Sequence, residues 1–272
     1  MAFKKYSRKG SRKGKKRTYK RKSYAKKVSP MKKLIRKEIS RNVENKTVQI
    51  FNFDRTLGDV TEPNFDSSNV FALGPDPSSI LINQGTGQGG RIGNRIRTKK
   101  LTLKGVFTPT FYHATYNTQP TPQQIKIFIF YDKTDPNALP APVNSADFFQ
   151  NGNSARSFAG DVTDMMMPVN EDRYRVLTTR TYKLGYAAYT GSPGAAQPAG
   201  YFSNNDFKLN CNFSIDLTKY YPKDVRFPDN SALPTTRGLY CMVVCSPANG
   251  LGSAAQRPVT MQYVQDYHFE DA

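Results

Sequence analysis

The stretch Phe207-Lys-Leu-Asn-Cys-Asn-Phe-Ser-Ile-Asp-Leu217 decides the fold, because every second residue in it is apolar. Six apolar side chains alternate with five polar ones from one end of the stretch to the other. This period of two is typical of a β-strand that buries one face and leaves the other in water. We therefore predict a strand over residues 206–217, in a sheet with one side packed against a core.

The same alternation recurs along the chain after residue 47. It predicts eight strands, at about 47–54, 95–108, 124–132, 173–184, 206–217, 223–227, 238–246 and 258–269. Residues 124–132 and 238–246 are apolar on both faces, which indicates central strands covered on both sides. A short helix is predicted near Ser145–Gln150. The sequence favours an all-β protein, a single eight-stranded jelly roll in the form of a two-sheet β-sandwich.

Positive charge is concentrated at one end of the chain. Of the 40 basic and 21 acidic residues, 20 and 2 lie in residues 1–46, which leaves 20 and 19 for the other 226 residues. The chain is thus a nearly neutral body preceded by an arm of net charge +18. Such an arm needs a polyanionic partner, and nucleic acid is the first candidate.

The arm divides into two segments. Residues 1–27 contain 14 bases and no acid, and they have too few apolar side chains to form a core. We expect this Lys/Arg-rich segment to be disordered on its own. Residues 28–46 are predicted to form a short basic amphipathic helix or linker, which begins near Ser29-Pro30. This helix either packs on the body of its own chain, packs under a shell or lies on nucleic acid. The jelly-roll domain is assigned to residues 47–272.

The residues expected to bind nucleic acid are the arm cations and a second basic cluster beside a glycine-rich stretch. They are Lys4, Lys5, Arg8, Lys9, Arg12, Lys13, Lys15, Lys16, Arg17, Lys20, Arg21, Lys22, Lys26, Lys27, Arg91, Arg95 and Arg97. Residues 85–90 have the spacing of a dinucleotide-binding loop, but a strand rather than a helix is predicted after them. A flexible basic loop that leads into a strand is the favoured interpretation.

Nothing in the sequence indicates catalysis. His113 and His268 have no cysteine or carboxylate at metal-ligand spacing, so no metal and no cofactor are expected. Cys211, Cys241 and Cys245 are too few for a disulfide framework and are interpreted as small buried hydrophobic residues. We expect a protein that is not an enzyme. An enzyme on a jelly-roll scaffold remains an alternative, which metal-dependent turnover would reveal.

Several motifs, taken in order, resemble the capsid proteins of circular Rep-encoding single-stranded DNA viruses, the circovirus-like group. They follow a Lys/Arg-rich N-terminus and span nearly the whole chain. They are Gln84-Gly-Thr-Gly-Gln-Gly-Gly-Arg-Ile-Gly-Asn-Arg-Ile-Arg-Thr-Lys-Lys-Leu-Thr-Leu103, Tyr131-Asp-Lys-Thr-Asp-Pro136, Asn144-Ser-Ala-Asp-Phe-Phe149, Tyr174-Arg-Val-Leu177 and Tyr267-His-Phe-Glu-Asp-Ala272.

The resemblance implies a viral capsid protein that self-assembles, with about 60 copies in a small icosahedral (T=1) shell. Arms of +18 in such a shell supply on the order of 1,000 positive charges for the phosphates of a circular single-stranded DNA genome. Binding to the backbone is sequence-independent. The arm also has the composition of a nuclear localisation signal, so the virion, the host nucleus and the nuclear import machinery are expected, with the host receptor unknown. The alternatives are a jelly-roll coat protein of a small RNA virus and a cellular nucleic-acid-binding protein of ribosomal or chromatin type.

Overall fold

The computed structural model describes residues 31–32, 34, 45–57, 64–65, 69–76, 79–110, 121–133, 143–151, 154–155, 162–185, 210–248 and 258–271. The strands are β1 (Asn45–Leu57), β2 (Asn64–Phe65), β3 (Val70–Leu73), β4 (Arg95–Pro109), β5 (Gln123–Asp132), β6 (Val143–Asn144), β7 (Gln150–Asn151), β8 (Ser154–Ala155), β9 (Tyr174–Leu184), β10 (Cys211–Asp216), β11 (Asp224–Arg226), β12 (Leu239–Pro247) and β13 (Val259–Asp271). A helical turn, Ser145–Phe148, and a 3-10 helix, Val162–Met166, complete the elements. No helix in these described ranges is both long and apolar enough to cross a membrane.

The eight longest strands form two antiparallel sheets. The first sheet has the order β1-β13-β4-β10, with the short strand β11 paired to the other end of β4. The second sheet has the order β3-β12-β5-β9. Along the chain, the strands alternate between the sheets except for β5 and β9, which are hydrogen-bonded neighbours in the second sheet. This order is that of a jelly roll, so the predicted fold class is confirmed.

The main core lies between the two sheets. The first sheet contributes Leu101, Leu103 and Phe107 from β4, and the second contributes Ile125 and Ile127 from β5, all fully buried. These residues follow the predicted period of two on each strand. The alternation therefore does place one face of each strand in the sandwich interior.

A second apolar cluster covers the outer face of the second sheet. Phe128 and Phe130 of β5 project away from the main core and meet Phe148 in edge-to-face contacts, with ring centroids 5.5 and 5.2 Å apart. Phe149 and Tyr174 pack against the same rings. The prediction that residues 124–132 and 238–246 form central strands, covered on both faces, is confirmed.

The list of strands predicted from sequence was wrong at one position. The jelly roll includes Val70–Leu73, a run of four buried residues that is too short and too uniformly apolar to show a period of two. The predicted strand at 223–227 exists as Asp224–Arg226, but it only extends the first sheet beside β4. The predicted helix at Ser145–Gln150 ends at Phe148, since Gln150 begins β7.

The segment boundaries shift slightly at the start of the body. Met31, Lys32 and Leu34 have helical backbone, within the range where a helix was expected. Strand β1 begins at Asn45, so Asn45 and Lys46 belong to the body rather than to the linker over 28–46. Residues 1–27, where the disordered arm was predicted, lie outside the described residues, as do residues 206–209 of the predicted strand 206–217.

Candidate nucleic-acid interface

The predicted nucleic-acid-binding residues fall into two groups in the structure. The fourteen arm cations between Lys4 and Lys27 lie outside the described residues, so their role stays a prediction. Arg91, Arg95 and Arg97 are described, and they occupy three different environments.

Arg91 is not a surface cation, and the expectation that it binds phosphate was wrong. Its side chain is fully buried, with Nη1 donating to Asn94 Oδ1 at 2.9 Å and Nη2 donating to the carbonyl of Ser231 at 2.8 Å. The guanidinium also lies over the ring of Phe227, 4.6 Å from its centroid. These contacts stabilise a positive charge whose removal from water would otherwise cost free energy. Arg91 joins the glycine-rich loop to the loop that follows β11.

The glycine-rich loop is a closed structure rather than the flexible loop that the sequence predicted. Gln84 and Arg91 form a β-bridge, and the amide of Gly85 donates to the carbonyl of Arg91 at 2.8 Å. Gly90 has no room for a side chain, because a Cβ atom there would lie 2.7 Å from the carbonyl oxygen of Gly85. The chain continues from this loop into strand β4, so the helix that a dinucleotide site requires does not follow it.

Lys46 holds the same loop from its other side. Its buried ammonium group donates to the carbonyl of Gly90 at 2.8 Å and lies 2.7 Å from Oδ2 of Asp271. The first strand of the body, the glycine-rich loop and the last strand thus meet at one buried charge. The sequence alone did not distinguish Lys46 from the arm cations, because burial depends on strand pairing that brings residues 46 and 271 together.

Arg95 and Arg97 stay at the surface, as expected for residues that bind phosphate. Both side chains are exposed on β4, and Arg95 Nη2 lies 3.1 Å from Oδ1 of Asp224 on the paired strand β11. Nearby Lys99 also has a carboxylate partner, Glu270. Because these carboxylates offset part of the positive charge, the strand is a weaker polyanion site than its sequence suggests.

A different basic group, which sequence reasoning missed, lies where β9 and β10 form the same edge of the sandwich. We call Arg175, Arg180, Lys219 and Arg237 the edge cluster; all four side chains are exposed. Their positions in sequence are spread over more than sixty residues on three different segments. Only the alternation of Arg173 and Arg175 with apolar residues hinted that one strand carries basic side chains here.

Comparisons with known proteins add structural neighbours at low similarity. No protein-family profile matches the sequence, and no curated protein matches it. Among solved structures, the chain is similar to VP1 of Trichodysplasia spinulosa-associated polyomavirus, with 11% identity, 83% of this chain and 95% of that chain covered, and a TM-score of 0.23. The same VP1 in complex with sialylated precision glycooligomers gives 12% identity, coverage of 83% and 93%, and a TM-score of 0.22. Merkel cell polyomavirus VP1 in complex with GD1a oligosaccharide gives 8% identity, coverage of 83% and 94%, and a TM-score of 0.18. The jelly-roll assignment of this chain rests on its own strand order.

Proposed function

We propose that this chain is the capsid protein of a small virus with a circular single-stranded DNA genome. In this proposal about 60 copies assemble into a closed icosahedral shell. The arm binds the genome on the inside and also directs the protein to the host nucleus. The observation that carries the proposal is the segregation of charge, with +18 in residues 1–46 ahead of a nearly neutral jelly roll.

The structure of the body supports assembly. Strand β1 is an edge of the first sheet in the described part of the chain, and it carries Phe51 and Phe53 with 52% and 71% of their surfaces exposed. The two rings stack with centroids 5.9 Å apart, so they form one apolar surface. A long edge strand with exposed aromatic residues favours contact with another chain. In the proposed shell, this edge is a contact between subunits.

The charge of the arm supports packaging of a polynucleotide without sequence preference. Lys and Arg side chains bind phosphates by releasing the counterions that surround the strand, and this release does not depend on the bases. DNA and RNA present the same phosphates, so the assignment to DNA rests on the resemblance of the sequence motifs. A coat protein of a small RNA virus is the alternative that shares every structural feature described above.

Electron microscopy of purified full-length protein, followed by sequencing of nuclease-protected cargo, tests the proposal. We expect closed particles of uniform size that contain circular single-stranded DNA. Protected RNA would instead assign the chain to an RNA virus. A monomer that forms no particles in the presence of nucleic acid would overturn the capsid proposal and favour a cellular nucleic-acid-binding protein.

Deletion of residues 1–27 tests the role of the arm. The body from Val43 to Ala272 is a compact unit of its own, so we expect it to stay folded. The variant should bind single-stranded DNA far more weakly, and the slope of log K against log salt should fall by up to about 10 for fourteen lost phosphate contacts. Unchanged affinity and slope would show that the arm is not the binding element.

A further inference from the structure

The edge cluster is one of two groups of exposed cations in the described part of the body: like Arg97, Lys183 and Lys223 its members have no ion pair with a carboxylate, whereas several other cations do. Among the described residues, ion pairs join Arg95 to Asp224, Lys99 to Glu270 and Lys104 to Asp266. Arg173 shares its charge with Asp132 and Asp147. The four cations of the edge cluster have no ion pair of this kind within the described ranges. Their positive charge is therefore available to a partner from outside the subunit.

Two tyrosines that contact each other lie beside two of the cations, Arg237 and Lys219. The hydroxyl of Tyr131 donates to the carbonyl of Tyr220, which joins the end of β5 to the turn after β10. The guanidinium carbon of Arg237 lies 5.8 Å from the ring centroid of Tyr131, and the ammonium nitrogen of Lys219 lies 4.5 Å from that of Tyr220. Each ring is thus flanked by a cation at a distance typical of cation–π contact.

The cations of the edge cluster act electrostatically on both tyrosines. A hydrogen bond with Lys219 lowers the pKa of Tyr220, and the positive charges of Lys219 and Arg180 act in the same direction. Burial raises the pKa of Tyr131, while the charges of Arg237 and Arg175 oppose that rise. All four cations of the edge cluster therefore act on one or the other of these two rings.

Asp216 is close enough to Lys219 for the two charges to interact, and Asp132 lies on the strand beside Arg175. Asp216 accepts a hydrogen bond from the amide of Thr218 at 2.9 Å, and this contact together with the Thr218 side chain lowers the pKa of Asp216. Asp132 lies 3.4 Å from Nε of Arg173 rather than at Arg175. The lowered pKa keeps Asp216 ionised, so its charge offsets part of that of Lys219, and four cations against these two acids leave an excess of positive charge.

The cluster also lies far from the strand that follows the arm. Strand β1 is at one end of the first sheet and β10 is at the other, with β13 and β4 between them. Three strand spacings of about 4.8 Å place these two edges roughly 14 Å apart across the sheet. The edge cluster is therefore a surface of the body distinct from the start of β1.

We propose that the edge cluster is a second binding surface for single-stranded nucleic acid, in which the four cations contact phosphates and the ring of Tyr220 stacks on an unpaired base. Tyr220 is half-buried and packs against the main core. Aromatic rings beside cations are a common design of sequence-independent single-strand binding. The proposal rests on the proposed function in one respect, since the polymer is the one that the arm packages. A strand held at both surfaces contacts the body as well as the arm.

The salt dependence of binding by full-length protein tests this surface against a matched control. The variant R180Q/K219Q/R237Q removes three cations of the edge cluster, and K183Q/K223Q/R226Q removes three exposed cations that lie outside it. With oligothymidylate as the probe, the slope of log K against log salt should fall by about 2 for the first variant, at about 0.7 for each single-strand phosphate contact. The control should change the slope by much less, although it loses the same net charge. Equal slopes for the two variants would overturn the proposal.

Photocrosslinking of the unmodified protein gives an answer that does not depend on any variant folding. Oligothymidylate with 5-iodouracil substitutions should crosslink to Tyr220 as well as to the arm. Crosslinks confined to the arm would sink the proposal while leaving the proposed function intact. Failure of the unmodified protein to bind the probe at all would contradict the proposed function itself. If R180Q/K219Q/R237Q binds like its control but loses self-association in sedimentation, the cluster is a subunit contact and the proposal is wrong.

Discussion

The two sheets of the jelly roll differ in their outer faces. Apart from Phe51 and Phe53 on its edge strand β1, the first sheet turns a largely polar face outward, where Gln49 Nε2 donates to Asp266 Oδ1 at 2.6 Å and Lys104 Nζ lies 3.3 Å from Asp266 Oδ2. The second sheet turns Phe128 and Phe130 outward, and distant parts of the chain cover them. The comparison teaches that the same strand geometry gives one buried face or two, depending on what the connections place above it.

The largest expected effect is at the inner face of the first sheet. The ring of Phe213 is 5% exposed and stacks on Phe107 with centroids 4.7 Å apart. It also lies against Gly105, where a Cβ atom would meet a ring carbon at 2.5 Å. Phe213→Asp would place a charge in this core, so the free energy of unfolding should fall by more than about 4 kcal/mol. Urea denaturation measures the loss.

Ser214→Asp is the matched control for that change. Ser214 is the next residue of β10, and its side chain is exposed on the outer face opposite Lys104. We expect a change within about 0.5 kcal/mol. A folded Phe213→Asp protein, or equal losses at the two positions, would show that the faces of β10 have been assigned the wrong way round.

The second largest effect is expected on the outer face of the second sheet. Phe128→Ala should lower the free energy of unfolding by about 3–5 kcal/mol, as for a core residue, because its ring is buried against Phe148 and Phe149. Val264→Ala, at a half-buried position on the outer face of the first sheet, should lower it by about 1 kcal/mol. Chemical denaturation of both variants makes the comparison, and a loss at Phe128 no larger than that at Val264 would remove the distinction between the sheets.

A smaller difference in the free energy of unfolding is expected between a buried ion pair and an exposed one. Lys46→Ala leaves Asp271 without its buried partner and frees the glycine-rich loop, so we expect a loss of about 3 kcal/mol. Lys104→Ala removes a cation that is 55% exposed on the polar face of the first sheet, so less than about 1 kcal/mol should be lost. Thermal unfolding distinguishes the two outcomes, and similar losses would contradict the structural role assigned to Lys46.

The smallest effect concerns Tyr174 in the apolar cover of the second sheet. Its hydroxyl has no hydrogen-bond partner in the described part of the chain, and burial raises the pKa of Tyr174 to about 12. Above pH 10 the unfolded chain ionises this tyrosine while the folded protein keeps it neutral, so stability falls as the pH rises from about 10 to 12. Tyr174→Phe should reduce that fall and stabilise the protein by up to about 1 kcal/mol at neutral pH. Urea titrations at neutral and alkaline pH check both effects, and an unchanged alkaline profile would be evidence against them.

The sequence predicted well those parts of the fold that a local pattern determines. Alternation in β4, β9, β10 and β13, the apolar runs of β5 and β12, and the predicted first strand β1 together gave seven of the eight jelly-roll strands correctly. Val70–Leu73 was missed because four consecutive buried residues carry no period. The sequence also did not predict that Phe148 and Phe149 cover the outer face of the second sheet, because no local pattern indicates which strand they contact.

The candidate site was less predictable, because charge in a sequence does not reveal burial. In the sequence, Arg91 and Lys46 look like surface cations, yet both are buried by residues from distant positions in the chain. The edge cluster shows the opposite case, since Arg180, Lys219 and Arg237 are unremarkable in sequence and become neighbours only through the pairing of strands. The local sequence pattern thus predicts which face of a strand is buried, while the pairing of strands decides which charged side chains stay exposed to a partner.

The position of β13 has a consequence for how the protein is made. This strand lies between β1 and β4 in the first sheet, although the ribosome synthesises it after both of them. Until β13 is released, β1 and β4 have no partner on their facing edges, and contacts more than 150 residues apart in sequence must wait. Residues 1–46, with their net charge of +18, are therefore synthesised long before the first sheet can close. During that interval the unpaired edges of β1 and β4 are open to contacts with other chains.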